Sequence, residues 1–206
     1  MAPKYHSTTK LPRNFFEENP LGSITAGRLT YYHMVTLLNS DFQDAISEFA
    51  APLMNDVRKQ DIQSELELIA NATKPEEVVL LLKKVKDPTN KRALCCKVLD
   101  MEDEVIPLII NRLKRSRYDI FIEAAVLILA HADEKYIDEL IEIFPDIQGA
   151  YARSEVCVLF AYKERRDALP LIIDAYYKLQ WELAETDNDW EQGPLFAIYL
   201  LTGHIS

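Results

Sequence analysis

Apolar residues along this chain recur every three or four positions, the spacing that gathers them on one face of an α-helix. Helical signals begin at Ser23, and Leu29, Tyr32, Val35 and Leu38 form the first stripe. Ser40, followed three residues later by Gln43, predicts a capping box for a second helix. Its stripe is Phe42, Ala45, Ile46 and Phe49. Pro52 should kink or split that helix, because proline removes a hydrogen bond from the helix interior. Ile62, Leu66, Ile69 and Ala70 predict a third helix. Thr73-Lys74-Pro75-Glu76 then caps and starts a fourth. Upstream, residues 1–22 read as an irregular arm, with Phe15-Phe16 expected to pin it to the body.

From residue 74 the pattern repeats itself. The stripe Val78, Leu81, Leu82, Val85 returns as Ile106, Ile109, Ile110, Leu113. It returns again as Ile137, Leu140, Ile141, Phe144, and once more as Leu169, Ile172, Ile173, Tyr176. The first members, Val78, Ile106, Ile137 and Leu169, are 28, 31 and 32 residues apart. Between the copies lie further apolar helices, at 93–101, 121–132 and 156–162. Two helices therefore recur at a nearly constant period, the signature of a helical solenoid in which each hairpin buries its face on its neighbours. A simple amphipathic bundle would supply the stripes without the period.

Two local motifs sharpen this expectation. Asp103-Glu104-Val105-Ile106-Pro107-Leu108 and Asp167-Ala168-Leu169-Pro170-Leu171 share an acidic start and a Pro-Leu pair. Arg92 precedes the small residues Cys95-Cys96 and the aliphatic pair Val98-Leu99, and Arg153 before Val156-Cys157 is a looser version. These features resemble the HEAT-like repeat family over about residues 74–204. The copy at Phe121 lacks the Arg, and the copy at Tyr136-Ile137 lacks the Pro. The resemblance implies an all-α, right-handed solenoid of HEAT-like helical hairpins. Residues 23–73 would form an N-terminal helical cap and 74–206 the repeats, as one continuous domain over 23–206. A scaffold of this kind hosts many partners, so the resemblance says little about function.

Charge narrows the functional classes. The chain has 206 residues, with 23 Lys+Arg against 33 Asp+Glu, a net charge of −10. That balance disfavours a nucleic-acid or anionic-membrane binder, which needs clustered cations. The three cysteines, Cys95, Cys96 and Cys157, fit no metal spacing and are expected to be free, mostly buried thiols, Cys95 and Cys96 as small packing residues, in a reducing, cytoplasmic setting. The opening residues lack the apolar core of an export signal. No apolar run approaches the ~20 residues of a spanning helix. Asn71-Ala72-Thr73 matches a glycosylation sequon and reads as a chance match.

Catalytic signatures are lacking. Glycine is too scarce for a phosphate loop, and no nucleophile elbow occurs. His6, His33, His131 and His204 have no ligand spacing, and His131 reads as a cation suited to a helix C-terminus. No catalytic residue, metal or cofactor is expected. Two charge features stand out instead. Arg112-Leu113-Lys114-Arg115-Ser116-Arg117 concentrates cations at the end of a repeat helix, either to complement its dipole or to hold an acidic peptide or phosphate. The segment 181–191 carries five acids and both tryptophans. Tyr177 and Trp181 are four residues apart and share a helix face. The sequence thus predicts a protein-binding scaffold whose contacts are Lys83, Arg112, Arg115, Glu142, Tyr177, Lys178 and Trp181, in one row along the second helices. A narrower version is an acidic inhibitor, of the kind an immunity protein is, neutralising a basic partner. The rival from another class is a HEAT-like enzyme acting on nucleic-acid bases, which the acidic charge disfavours.

Overall fold

The helical spacing seen in the sequence carries through the computed structural model, which describes residues 25–186 and 188–203. These residues form eleven α-helices and, among the described residues, no strand. The first three are α1 (Thr25–Thr36), α2 (Ser40–Ala50) and α3 (Asp56–Asn71). Then follow α4 (Pro75–Leu81), α5 (Pro88–Leu99), α6 (Glu102–Leu113) and α7 (Asp119–Leu129). The chain continues through α8 (Glu134–Ile143), α9 (Ala150–Tyr162), α10 (Leu169–Leu183) and α11 (Gln192–Thr202). The arm at 1–22, with Phe15-Phe16, and the helical start at Ser23 lie outside the described residues.

From α3 onward, helices pack in order. Helix α3 touches α4 and α5, α5 touches α6 and α7, α7 touches α9, and α9 touches α10 and α11. On the other side α4 packs on α6 and α6 on α8. Helices α3, α5, α7, α9 and α11 thus share one row and α4, α6 and α8 another. The apolar stripes lie between them: Val78, Leu82, Ile106, Ile109, Ile110 and Leu113 are fully buried. Each such side chain contributes ~1.5–3 kcal/mol through removal from water.

Polar contacts repeat with nearly the same period as the stripes. Arg58 pairs with Asp87 at 2.6 Å, Lys135 with Asp103 at 2.6 Å, Lys163 with Glu134 at 2.9 Å and Arg165 with Asp138 at 2.6 Å. The partners are 27 to 32 residues apart in sequence. Each pair links one hairpin to the next. These pairs keep at least one partner open to solvent and add little stability, so their value is to fix the register between neighbours.

Several boundaries and faces differ from the sequence reading. Asn39, not Ser40, caps α2, its side chain accepting from the Phe42 amide at 3.0 Å. Gln43 reaches the Thr36 carbonyl instead of closing a capping box. Pro52 does split the helix, and a 3-10 turn at Ala51–Leu53 separates α2 from α3. At α4, Thr73 gives no side-chain cap. Glu77 reaches back to the amides of Thr73 and Lys74 while Pro75 opens the helix. Helix α2 buries none of its stripe: Ile46 and Phe49 are exposed, Phe49 to 74%. It leaves the body at the Asn39 turn, and of that face only Phe42 is half-buried, edge-on to Tyr32 at 5.6 Å. In α3 only Ile69 is fully buried and Ala70 is exposed. In α10 Ile173 is exposed, and Ile172, Ala175 and Leu179 face inward. The face is rotated because α10 packs between α9 and α11 rather than between two even-numbered helices.

Helix α1 departs furthest from expectation. It lies against α7, α9 and α11, whereas α3 joins α4 and α5 in the stack. Its inward face is Gly27, Tyr31 and Met34; of the Leu29 stripe, Leu29 is exposed, Tyr32 and Val35 are half-buried, and Leu38 is buried just past the helix end. Tyr31 stands edge-on to Tyr162 and Phe196, with ring centroids at 5.6 and 6.1 Å. A side chain at Gly27 would come within 3.2 Å of the Phe196 ring, so glycine permits this close approach.

Cys95 and Cys157 are buried, and burial pushes both thiols far above their ordinary range. Cys96 is exposed, which corrects its reading as a small packing residue. One helical step of about 100° carries Cys96 from the core face to solvent. A thiol reagent should therefore label one cysteine in the native protein and all three in denaturant. Native labelling of Cys95 or Cys157 at the denatured rate would contradict this packing.

Candidate binding surface

The turns that follow the even-numbered helices line up along one edge of the stack. The turn after α4 brings Lys83, and the end of α6 with its turn brings Asn111, Arg112, Arg115, Ser116 and Arg117, with Tyr118 beside them. Together they line an open cleft of about 880 Å³. Two of its cations lie on aromatic faces. Lys83 Nζ sits 5.3 Å from the Tyr118 ring centre, and the Arg112 guanidinium 5.3 Å from that of Phe121. The turn is braced from behind, because the Gln148 amide donates to the Lys114 carbonyl at 2.9 Å. Gly149 makes this possible, since a Cβ there would stand 2.9 Å from the Ser116 carbonyl oxygen. A second hollow follows along the same edge, shares Ser116 and Arg117, and is walled by Gln148, Tyr151 and Trp190.

The structure thus brings three of the sequence-predicted contacts, Lys83, Arg112 and Arg115, into one cleft. Tyr177, Lys178 and Trp181 lie on α10, and Trp181 is 86% exposed and Tyr177 62%. Lys178 pairs with Asp174 at 2.7 Å, and Tyr177 stacks edge-on with Tyr176 at 5.4 Å. Glu142 is exposed at the end of α8 and lines neither hollow. Sequence reasoning did not single out Asn111 or Tyr118. Arg117 and Ser116 stood within the basic run, whereas Tyr118 carried no signal of its own.

The acidic segment is less free than its composition suggests. Glu182 pairs with Arg153, and Asp189 accepts from the Gln192 side chain at 2.7 Å. Neither Asn188 nor Asp189 caps α11 with its side chain; Glu191 occupies that position. Asp187 lies outside the described residues. Trp190 is half-buried against Tyr151, and Ser154 donates to its carbonyl at 2.5 Å.

Two titratable groups sit under α1. Glu155, in α9, is 2% exposed and accepts from the Thr30 hydroxyl at 2.8 Å. Burial pushes its carboxyl up to about 7. Its sequence position gave no warning, because it is the lone acid within α9. It borders a small cavity of about 150 Å³ with Thr30, His33, Glu123 and Tyr151. Tyr151 donates to Glu123 at 3.2 Å. His131 follows α7, half-buried and edge-on to Tyr162 at 6.2 Å, and burial pulls its imidazole down to about 4. It is neutral at ordinary pH, so the reading of His131 as a helix-terminal cation is corrected.

No group of His, Cys, Asp and Glu with metal-binding geometry occurs among the described residues, and no described helix is long and apolar enough to cross a membrane. The chain matches no protein-family model, and it has no match among curated proteins or solved structures.

Proposed function

We propose that this chain is a HEAT-like α-solenoid that binds another protein and catalyses nothing itself. The observation that carries the reading is the exposed aromatic pair on α10. Trp181 projects into solvent with Tyr177 one turn before it. Aromatic side chains of this kind dominate interface energetics, and stacked helical hairpins offer extended faces to partners. The period of the stripes and the row-on-row contacts support the solenoid. The net charge of −10 favours a basic partner, including the version in which the chain acts as an inhibitor. The enzyme reading called for a basic pocket around a buried carboxylate. Here the basic cleft and the buried Glu155 belong to separate cavities.

Trp181→Ala should leave the thermal midpoint nearly unchanged, since the ring is wet, yet weaken partner binding by ~2 kcal/mol or more. Proteins from the native host retained by the wild-type chain, identified by mass spectrometry and then purified, provide the titration. Equal affinity of the two forms would remove the anchor role.

A further inference from the structure

The basic cleft is anomalous in an acidic protein. Some cations sit on carboxylates, as Arg58, Lys135, Lys163 and Arg165 do, while others such as Lys84, Arg92 and Arg166 stand singly without an ion pair within the described residues. Lys83, Arg112, Arg115 and Arg117 form no ion pair within the described residues. The cleft lining itself contains no acid. Two of the four cations are held over rings, which orients them without neutralising them. Cations converge here although nothing in the described chain balances them.

We propose that this cleft docks an oxyanion-bearing polypeptide segment, a run of carboxylates or a phosphorylated residue on a partner protein. The proposal deepens the protein-binding reading and rests on it. Guanidinium groups present forked donors that match carboxylate and phosphate oxygens, and Arg112, Arg115 and Arg117 supply them here. The Ser116 hydroxyl and the Asn111 amide stand in the same lining. At about 880 Å³ the cleft exceeds what a lone ion would fill, and Ser116 and Arg117 lead on into the hollow beside Trp190. That continuity suits an extended chain crossing successive turns. A nucleic-acid backbone fits less well. It would need neutralisation along its length, whereas the adjoining hollow contributes Asp119.

The test is fluorescence anisotropy with four labelled probes of equal length. They are a glutamate-rich peptide, its phosphoserine counterpart, an uncharged peptide and an oligothymidylate. The two anionic peptides should bind wild-type protein and weaken as salt rises, because screening acts beyond ~8 Å at physiological ionic strength. Whichever binds tighter identifies the source of the oxyanion. Arg115 and Arg117 are exposed and unpaired, so Arg115→Glu with Arg117→Glu should keep the thermal midpoint. That double variant should lose affinity about tenfold or more, the scale of opposed charges in an interface. Trp181→Ala should bind these peptides as wild type does, which separates the cleft from the aromatic anchor. Unchanged affinity in the double reversal would overturn the proposal. So would equal binding of the uncharged peptide, or oligothymidylate binding tighter than both peptides.

Discussion

Isoleucine-to-alanine substitutions at Ile110, Ile141 and Ile173 should destabilise the protein in that order. The three residues hold the same place in successive copies of the stripe. Ile110 is fully buried, Ile141 half-buried and Ile173 exposed to 39%. Ile110 lies on α6, which packs against both α4 and α8. Its truncation removes transfer energy and leaves a cavity, so Ile110→Ala should cost ~2–5 kcal/mol. At Ile141 the solvent-facing side can relax, and the cost should be roughly half as large. Ile173→Ala should cost under ~1 kcal/mol, as should Arg115→Ala, because neither side chain is enclosed. Chemical-denaturation midpoints with a common slope would measure the series. A flat series would mean that the inward faces are assigned wrongly.

Replacing Glu155 by Gln should raise stability at about pH 8 by ~2–3 kcal/mol and change it little near pH 4. The sign follows from where the proton is held. The carboxyl ionises at 4.5 in its ordinary state and is pushed up to about 7 here. The folded chain therefore holds a proton that the unfolded chain has released. This contribution is complete below 4.5 and is lost as pH rises through about 7. Glutamine keeps an oxygen to accept from Thr30 and carries no charge to desolvate. His131 has the opposite sense. Its imidazole falls from 6.5 to about 4, so its contribution is complete above 6.5 and is lost as pH falls toward about 4. Between 4.5 and 6.5 the Glu155 slope opposes that of His131 and of His33, whose imidazole is also pulled down by burial, so the wild-type rise with pH should be shallow there. Glu155→Gln should unmask the histidines, giving stability that rises more steeply with pH across that interval. A variant less stable than wild type at about pH 8 would show that the buried carboxylate is favoured in its charged form.

How much of this could be seen in the sequence varied along the chain. The stripes of α4 and α6 were fully legible, because each has a neighbour on both flanks and all four positions turn inward. The copy in α10 was legible as a helix but not in its face. The docking of its partner α11, which rotates that face, leaves no trace in the periodicity. Helix α1 is apolar on several faces, so more than one stripe fits, and only the contact with Phe196 and Tyr162 selects Gly27, Tyr31 and Met34. The α2 stripe illustrates the reverse, since amphipathic spacing did not secure a partner for Phe49. Of the candidate site, the cations were visible as a run. Their convergence with Lys83, 29 positions before Arg112, required the stacking of one turn upon another.

The placement of α1 alters the topology of the chain as a polymer. A stack of hairpins that touch only their neighbours behaves as a one-dimensional array, able to fray from either end without disturbing the other. Here the first described helix is fastened to the last, and the bond from Thr30 to Glu155 spans 125 positions. Closing a loop of that length costs on the order of 4 kcal/mol in chain entropy, which only the assembled α7, α9 and α11 can offset. Docking of α1 should thus come late in folding, since its seat must exist first. Once made, it removes the independence of the two ends. Losing α1 would loosen the C-terminal helices rather than the α3–α4 hairpin that follows it in sequence.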